Sequence, residues 1–122
     1  MSRFEKITDN VVIASSGEYA DFQEVCRRLR KVTNEAALYD DNCGISAKEL
    51  TNYLAHICYE KRNNFNPYYN STVIAGHENG QPVLASVDLF GTLIKKDYVV
   101  TGFAKHFGLA LIANEWNPDL SA

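Results

Sequence analysis

From Tyr19 onward, apolar residues recur at Phe22, Val25, Cys26, Leu29, Val32 and Ala36, while Gln23, Arg27, Arg28 and Arg30 fall mostly off that line. Spacings of three and four put one stripe on the core side of an α-helix. Ahead of it, the run Val11-Val12-Ile13-Ala14 follows an Asp9-Asn10 turn signal and stops at Ser15-Ser16-Gly17, which predicts one short buried strand over Ile7 to Ala14. Asp40 to Gly44 breaks the helix. A second helix is then specified by Ser46 as cap, Glu49 reaching back to it and Ile45 with Leu50 as a hydrophobic staple. Leu50, Tyr53, Leu54, Ile57 and Cys58 supply its buried stripe, and Asn66-Pro67 ends it. Tyr69 to Gly76 and Pro82 to Phe90 flank Asn79-Gly80, a dipeptide favoured in tight hairpins, so they predict paired antiparallel strands. Thr92 to Val100 reads as a third strand. Thr101-Gly102 leads into a last helix with Phe103, Phe107, Ala110 and Leu111 at helical spacing, ending near Asn117-Pro118. Strand, helix, helix, three strands and helix make an α+β pattern with no repeat, linker or low-complexity segment. Val73-Ile74-Ala75 and Val83-Leu84-Ala85 have too little polar alternation for a solvated sheet face, so a second sheet is expected to cover the side away from the helices.

A length of 122 residues suits one domain, and 46% hydrophobic with 22% charged residues is ordinary for a globular chain. Such a chain buries roughly 65 to 70% of its unfolded surface. A net charge of -3 gives no reason to expect nucleic acid or an anionic membrane as partner. Arg27, Arg28, Arg30 and Lys31 lie among Asp21, Glu24 and Glu35, which reads as a solvated helix face. Cys26, Cys43 and Cys58 are an odd set without close spacing, which argues against a disulfide framework or a zinc knuckle and for a reducing compartment. No apolar segment approaches the length of a leader or a membrane span, so the chain is expected to be neither exported nor membrane-embedded. Asn70-Ser71-Thr72 matches a glycosylation acceptor by chance on this reading. His56, His77 and His106 lie far apart without partners at ligand spacing, so they read as structural or surface residues. Asp21 could bond first-turn amides, or pair with Arg27 or a neighbouring chain. Gly76 and Gly80 bracket a hairpin, and no phosphate-binding glycine loop is present. Neither a cofactor nor a metal is expected.

Two stretches carry a resemblance: Ser15 to Gln23, reading SSGEYADFQ, and Tyr59 to Gly76, reading YEKRNNFNPYYNSTVIAG. From about Arg3 to about Leu120 the chain resembles the β-type subunits of the 20S proteasome, with greatest similarity to the non-catalytic subunit at the beta-7 ring position, also called beta type 4. The resemblance implies part of a four-layer αββα sandwich of the Ntn-hydrolase kind, with antiparallel sheets flanked by helices. Residues 1–122 would then be a single partial domain, shortened at both ends. Catalytic members use an N-terminal threonine whose own amine takes the proton, because a hydroxyl needs an adjacent base to attack a carbonyl. This chain offers Met1-Ser2-Arg3 and is expected to begin after that segment. Catalytic members also place a lysine about fourteen residues ahead of the Ser-Gly turn to tune the nucleophile. Arg3 occupies that position, and a guanidinium cannot trade a proton at working pH. Lys6 is displaced by roughly 10 Å along the strand.

Gly17 falls where catalytic relatives have an oxyanion-hole amide; with no nucleophile to serve, it is read as a turn residue. Thr101-Gly102-Phe103-Ala104 stands where catalytic relatives have a serine-containing segment. Cleavage between Gly91 and Thr92, by analogy with precursor processing, would leave a fragment too short for a domain. The expected catalytic, cofactor-binding and metal residues are therefore none. The resemblance implies a structural subunit that helps close a seven-membered ring and contacts the opposite ring or the α ring. Its partners would be other α and β subunits of a twenty-eight-subunit particle in cytoplasm and nucleus. Phe65, Tyr68, Tyr69 and Trp116 are candidate interface aromatics, although such side chains could equally plug the domain's own sheet edge. Two alternatives remain at this point: a threonine peptidase whose front segment is missing, or a free-standing assembly or binding domain of the same fold.

Overall fold

The computed structural model describes residues 2–39, 45–102 and 105–119. Its elements are β1 (Phe4–Thr8), β2 (Val11–Gly17), α1 (Tyr19–Tyr39), α2 (Ala47–Asn63), β3 (Asn70–Glu78), β4 (Gln81–Val87), β5 (Leu93–Lys95) and α3 (Lys105–Glu115). All five strands form one antiparallel sheet in chain order. The α+β class with an antiparallel sheet and helices is thus the one the sequence predicts. The helical break expected at Asp40 to Gly44 lies outside the described residues.

Register decides which side of the sheet is the core. Ile13, Ile74 and Ala85 align across β2, β3 and β4, as do Ser15, Thr72 and Val87. All six are buried on the face that carries α1 and α2. Phe22, Val25 and Leu29 of α1 and Leu50, Leu54 and Ile57 of α2 fill the space above them. Each fully buried side chain of this size contributes about 1.5–3 kcal/mol of transfer free energy. On the opposite face, Val12, Ala75 and Leu84 align, as do Ala14, Val73 and Ser86. None of these six is fully buried, and Val12 is exposed. A second sheet is not formed by the described residues; Lys105 and Leu109 of α3 instead border a cavity of about 100 Å³ with Ser71, Ser86 and Ile94 of this face.

Local chemistry accounts for the ends of the elements. Ser46 Oγ accepts a hydrogen bond from Glu49 N–H at 3.2 Å, which satisfies one orphan amide of α2. Leu50 is fully buried and Ile45 packs against the core, consistent with the expected staple. Only half of the capping box forms, since among the described residues no bond returns from the Glu49 side chain. Helix α2 stops before Asn66-Pro67: Phe65 N–H donates to the Arg62 carbonyl and Asn66 N–H to the Lys61 carbonyl, both at 3.1 Å. Phe65 takes φ +56° in this closure. Glycine is the usual occupant there, and a larger residue costs about 1–2 kcal/mol. Between β3 and β4, Asn79 and Gly80 have φ +53° and +79°, the two positive values of the expected tight hairpin.

Three expectations need correction. The predicted single strand over Ile7 to Ala14 is two strands, with Asp9 and Asn10 as a hairpin turn and Phe4 pairing with Ala14. Glu5 and Lys6 obscure the first strand in sequence, yet charged residues suit a strand at a sheet edge. The third strand is three residues long, because pairing with β4 stops where Lys96-Asp97 begins. Helix α3 exposes its predicted stripe: Phe107 and Leu111 both face solvent, and the helix buries no residue. Phe103, also assigned to that stripe, lies outside the described residues.

Candidate functional site

The turn from β2 into α1 brings together Arg3, Gly17, Asp21 and Tyr69 of the residues that the sequence singles out. Gly17, the last residue of β2, has φ +106° and pairs with Asn70 at the start of β3. A Cβ on Gly17 would overlap the Tyr69 carbonyl oxygen and approach Asn70 Cα to 3.1 Å. The same Tyr69 carbonyl accepts a hydrogen bond from Glu18 N–H at 2.9 Å. Glycine is therefore required twice over, by backbone conformation and by close approach. This supports the reading of Gly17 as a turn residue.

Two side chains clamp the turn to β3. Asp21, in the first turn of α1, accepts from Tyr69 N–H at 3.0 Å. Its partner is thus the incoming strand, and Arg27 pairs with Glu24 instead. Asn70 is buried and donates through Nδ2 to the carbonyls of Ser16 at 3.2 Å and Glu18 at 2.9 Å. In sequence Asn70 is a chance glycosylation match and part of the Tyr59 to Gly76 stretch that carries the resemblance, and neither reading assigns it this clamping role. Asn70 Oδ1 is buried without a partner among the described residues. Behind the turn, Thr72 Oγ1 donates to Ser15 Oγ at 3.3 Å.

Arg3 reaches this turn from ahead of β1. Its Nη1 donates to the Gly17 carbonyl at 2.8 Å, and its guanidinium carbon lies 5.4 Å from the Tyr19 ring centroid. Charge-assisted bonds of this kind are shorter and stronger than neutral ones, and the ring face adds a cation–π attraction. The group is held as a fixed, permanently protonated donor. Lys6 instead pairs with Asp9 at 3.3 Å in the hairpin turn. At this turn the residues can order backbone and offer positive charge, while Asp21 is committed to an amide.

The other candidates lie elsewhere. His56 sits 3.9 Å from Glu60 on the exposed side of α2, His77 is at the far end of β3 and His106 is exposed on α3. Among the described residues no group of histidine, cysteine or carboxylate side chains could hold a metal. Gly91 has φ +80° and packs so closely on α2 that a Cβ would meet Tyr59 at 2.7 Å, while Thr92 N–H bonds Asp88 Oδ1. Gly102 faces Ser16; Ala104 lies outside the described residues. Of the candidate interface aromatics, Tyr68 is 5% exposed and belongs to the chain's own core, the second of the two roles open to it from sequence. Trp116 lies against Tyr98 at 6.2 Å, whereas Tyr69 and Phe65 face solvent. The basic face of α1 is largely committed: Arg27 pairs with Glu24, and Arg30 pairs with Glu5.

Burial pushes the thiols of Cys26 and Cys58 up to about 11, with Glu5 and Asp88 respectively adding to the effect. The folded state then favours the neutral thiol, so its contribution is complete below the unfolded value near 9.0 and is lost between there and about 11. Urea midpoints are expected to fall over that window, and to fall less in a Cys26→Ala, Cys58→Ala variant. At pH 8, peptide-resolved iodoacetamide labelling is expected to spare both residues until denaturant is added. Cys43 lies outside the described residues.

Comparison with known proteins adds the family. The proteasome subunit family matches residues 1–122. The chain is 36% identical over 121 residues to proteasome subunit beta type-4 of Arabidopsis thaliana, covering 99% of this chain and 49% of that protein. It is also 36% identical to proteasome subunit beta type-4 of Dictyostelium discoideum, covering 98% of this chain and 47% of the other. A proteasome subunit beta 1 of Pyrococcus furiosus is 32% identical over 117 residues, 94% of this chain and 57% of that protein. The chain spans about half the length of the first two relatives. No helix among the described residues is long and apolar enough to cross a membrane. With a match along its whole length, this chain belongs to the proteasome subunit family.

Proposed function

We propose that this chain is a structural, non-catalytic β-type subunit of the 20S proteasome core particle. It assembles with other α- and β-type subunits into the twenty-eight-subunit hetero-oligomer of cytoplasm and nucleus, and serves protein degradation by building the ring. Residues 1–122 act as a single partial β-subunit domain, and none of them is catalytic. The observation that carries this reading is the bond from Arg3 Nη1 to the Gly17 carbonyl at 2.8 Å. The guanidinium occupies the position where catalytic relatives need an amine able to lose its proton, and it is spent on holding the turn. The apolar second face of the sheet adds support, since Val12, Ala75 and Leu84 suit a covering layer.

The test is a tagged chain expressed in cells that assemble proteasomes. The tag is expected to co-purify with a particle of proteasome size. A threonine-directed epoxyketone probe applied to that particle is expected to label sister subunits and leave the tagged one unlabelled. Absence from the particle, or labelling of the tagged subunit, overturns the reading.

A further inference from the structure

The turn after α2 displays an aromatic ring on a backbone conformation that suits glycine. Phe65 has φ +56° and is 96% exposed. The helix closure fixes the backbone there, but the choice of a bulky aromatic where glycine is usual still calls for an explanation. The chain's own packing supplies none: Tyr68, three residues on, turns into the core while the Phe65 ring points away. Two cations stand in the last turn of α2, just ahead of it. Lys61 lies over the Tyr68 ring at 5.3 Å and Arg62 over the Tyr59 ring at 5.8 Å. Neither makes an ion pair with a carboxylate among the described residues. The surface is thus a projecting apolar knob at the end of a helix whose last turn carries two cations.

We propose that Phe65 is an assembly anchor that inserts into an apolar pocket rimmed by carboxylates on a neighbouring proteasome subunit. This rests on the assembly role proposed above. A ring closed from non-identical contacts needs a knob on one face and a pocket on the next, rather than one self-complementary patch. Aromatic side chains seated in desolvated pockets carry most of the energy of such interfaces. Lys61 and Arg62 orient the approach and select an acidic rim.

Wild-type and variant chains carrying different tags are co-expressed, and their ratio in purified particles is compared with that in the whole lysate. For Phe65→Gly, lysate abundance is expected to hold or rise, because glycine relieves the backbone. Its share in the particle is expected to fall by about tenfold or more, the loss that follows truncation of an interface anchor. Phe65→Tyr, which keeps the ring, is expected to stay within about twofold of wild type. Arg62→Glu is expected to lower the particle share severalfold, and an unchanged share removes the acidic rim. A photo-crosslinking residue at position 65 is expected to capture another proteasome subunit; capture of a second copy of this chain overturns the proposal. An equal particle share for Phe65→Gly and wild type removes the anchor and leaves the assembly role standing. Failure of even the wild-type tag to enter particles removes both.

Discussion

Gly17→Ala is expected to destabilise the fold by about 2–6 kcal/mol, read as a large fall in the urea midpoint. Two terms combine. Holding a side chain at φ +106° costs about 1–3 kcal/mol. Overlap of the new Cβ with the Tyr69 carbonyl adds about 1–3 kcal/mol, as overpacking of a closed site does. The carbonyl has little freedom to retreat, because it accepts from Glu18 N–H at 2.9 Å while the Tyr69 amide is held by Asp21. Gly80→Ala provides the comparison. Gly80 has φ +79°, yet a Cβ there meets nothing within 4 Å. Its expected loss is the conformational part alone, about 1 kcal/mol. Equal midpoint shifts for the two variants would mean that the contact with Tyr69 contributes nothing and that the turn is not the rigid joint described above.

Phe22→Ala is expected to cost about 3–5 kcal/mol, since it empties a site that is 1% exposed one turn into α1. Domains of this size are commonly stable by about 5–15 kcal/mol, so the loss is a large fraction of the total. Its ring lies 6.3 Å from that of Tyr19, which in turn faces the Arg3 guanidinium. Loss of Phe22 is therefore expected to loosen the joint as well as the core. Hydrogen exchange at the Glu18 and Phe22 amides should accelerate more than exchange in β3. Phe107→Ala is the matched control: that ring is exposed on α3, and its removal is expected to change stability by no more than about 0.5 kcal/mol. If the two substitutions have equal effects, the assignment of α1 rather than α3 to the core fails.

Phe22 and Phe107 also mark the boundary of what pattern alone conveys. Both stand at helical spacing among apolar neighbours, and both helices form. Only the first has a sheet face to cover it, because α1 and α2 lie between the adjacent strands β2 and β3, whose register with β4 aligns Ile13, Ile74 and Ala85 on the helical side. Tyr68 and Phe65 repeat the lesson at shorter range. They are neighbouring aromatics in one loop, yet one enters the core and the other is displayed, because the Schellman closure reverses the chain between them.

Local chemistry in the amino-acid sequence determined the helices α1 and α2, the Ser46 cap, the Asn79-Gly80 hairpin, the α+β class and the motifs by which the family is known. These depend on dihedral preferences and on apolar spacing within a few residues, so they are written where they act. Tertiary structure alone decided that Arg3 grips the Gly17 carbonyl, that Asp21 holds the Tyr69 amide and that Asn70 clamps Ser16 and Glu18. Those bonds join residues 14, 48, 54 and 52 positions apart. Their geometry follows from the pairing of β2 with β3, which sets Gly17 opposite Asn70, and a one-residue slip would turn the Asn70 side chain to the other face and break the joint.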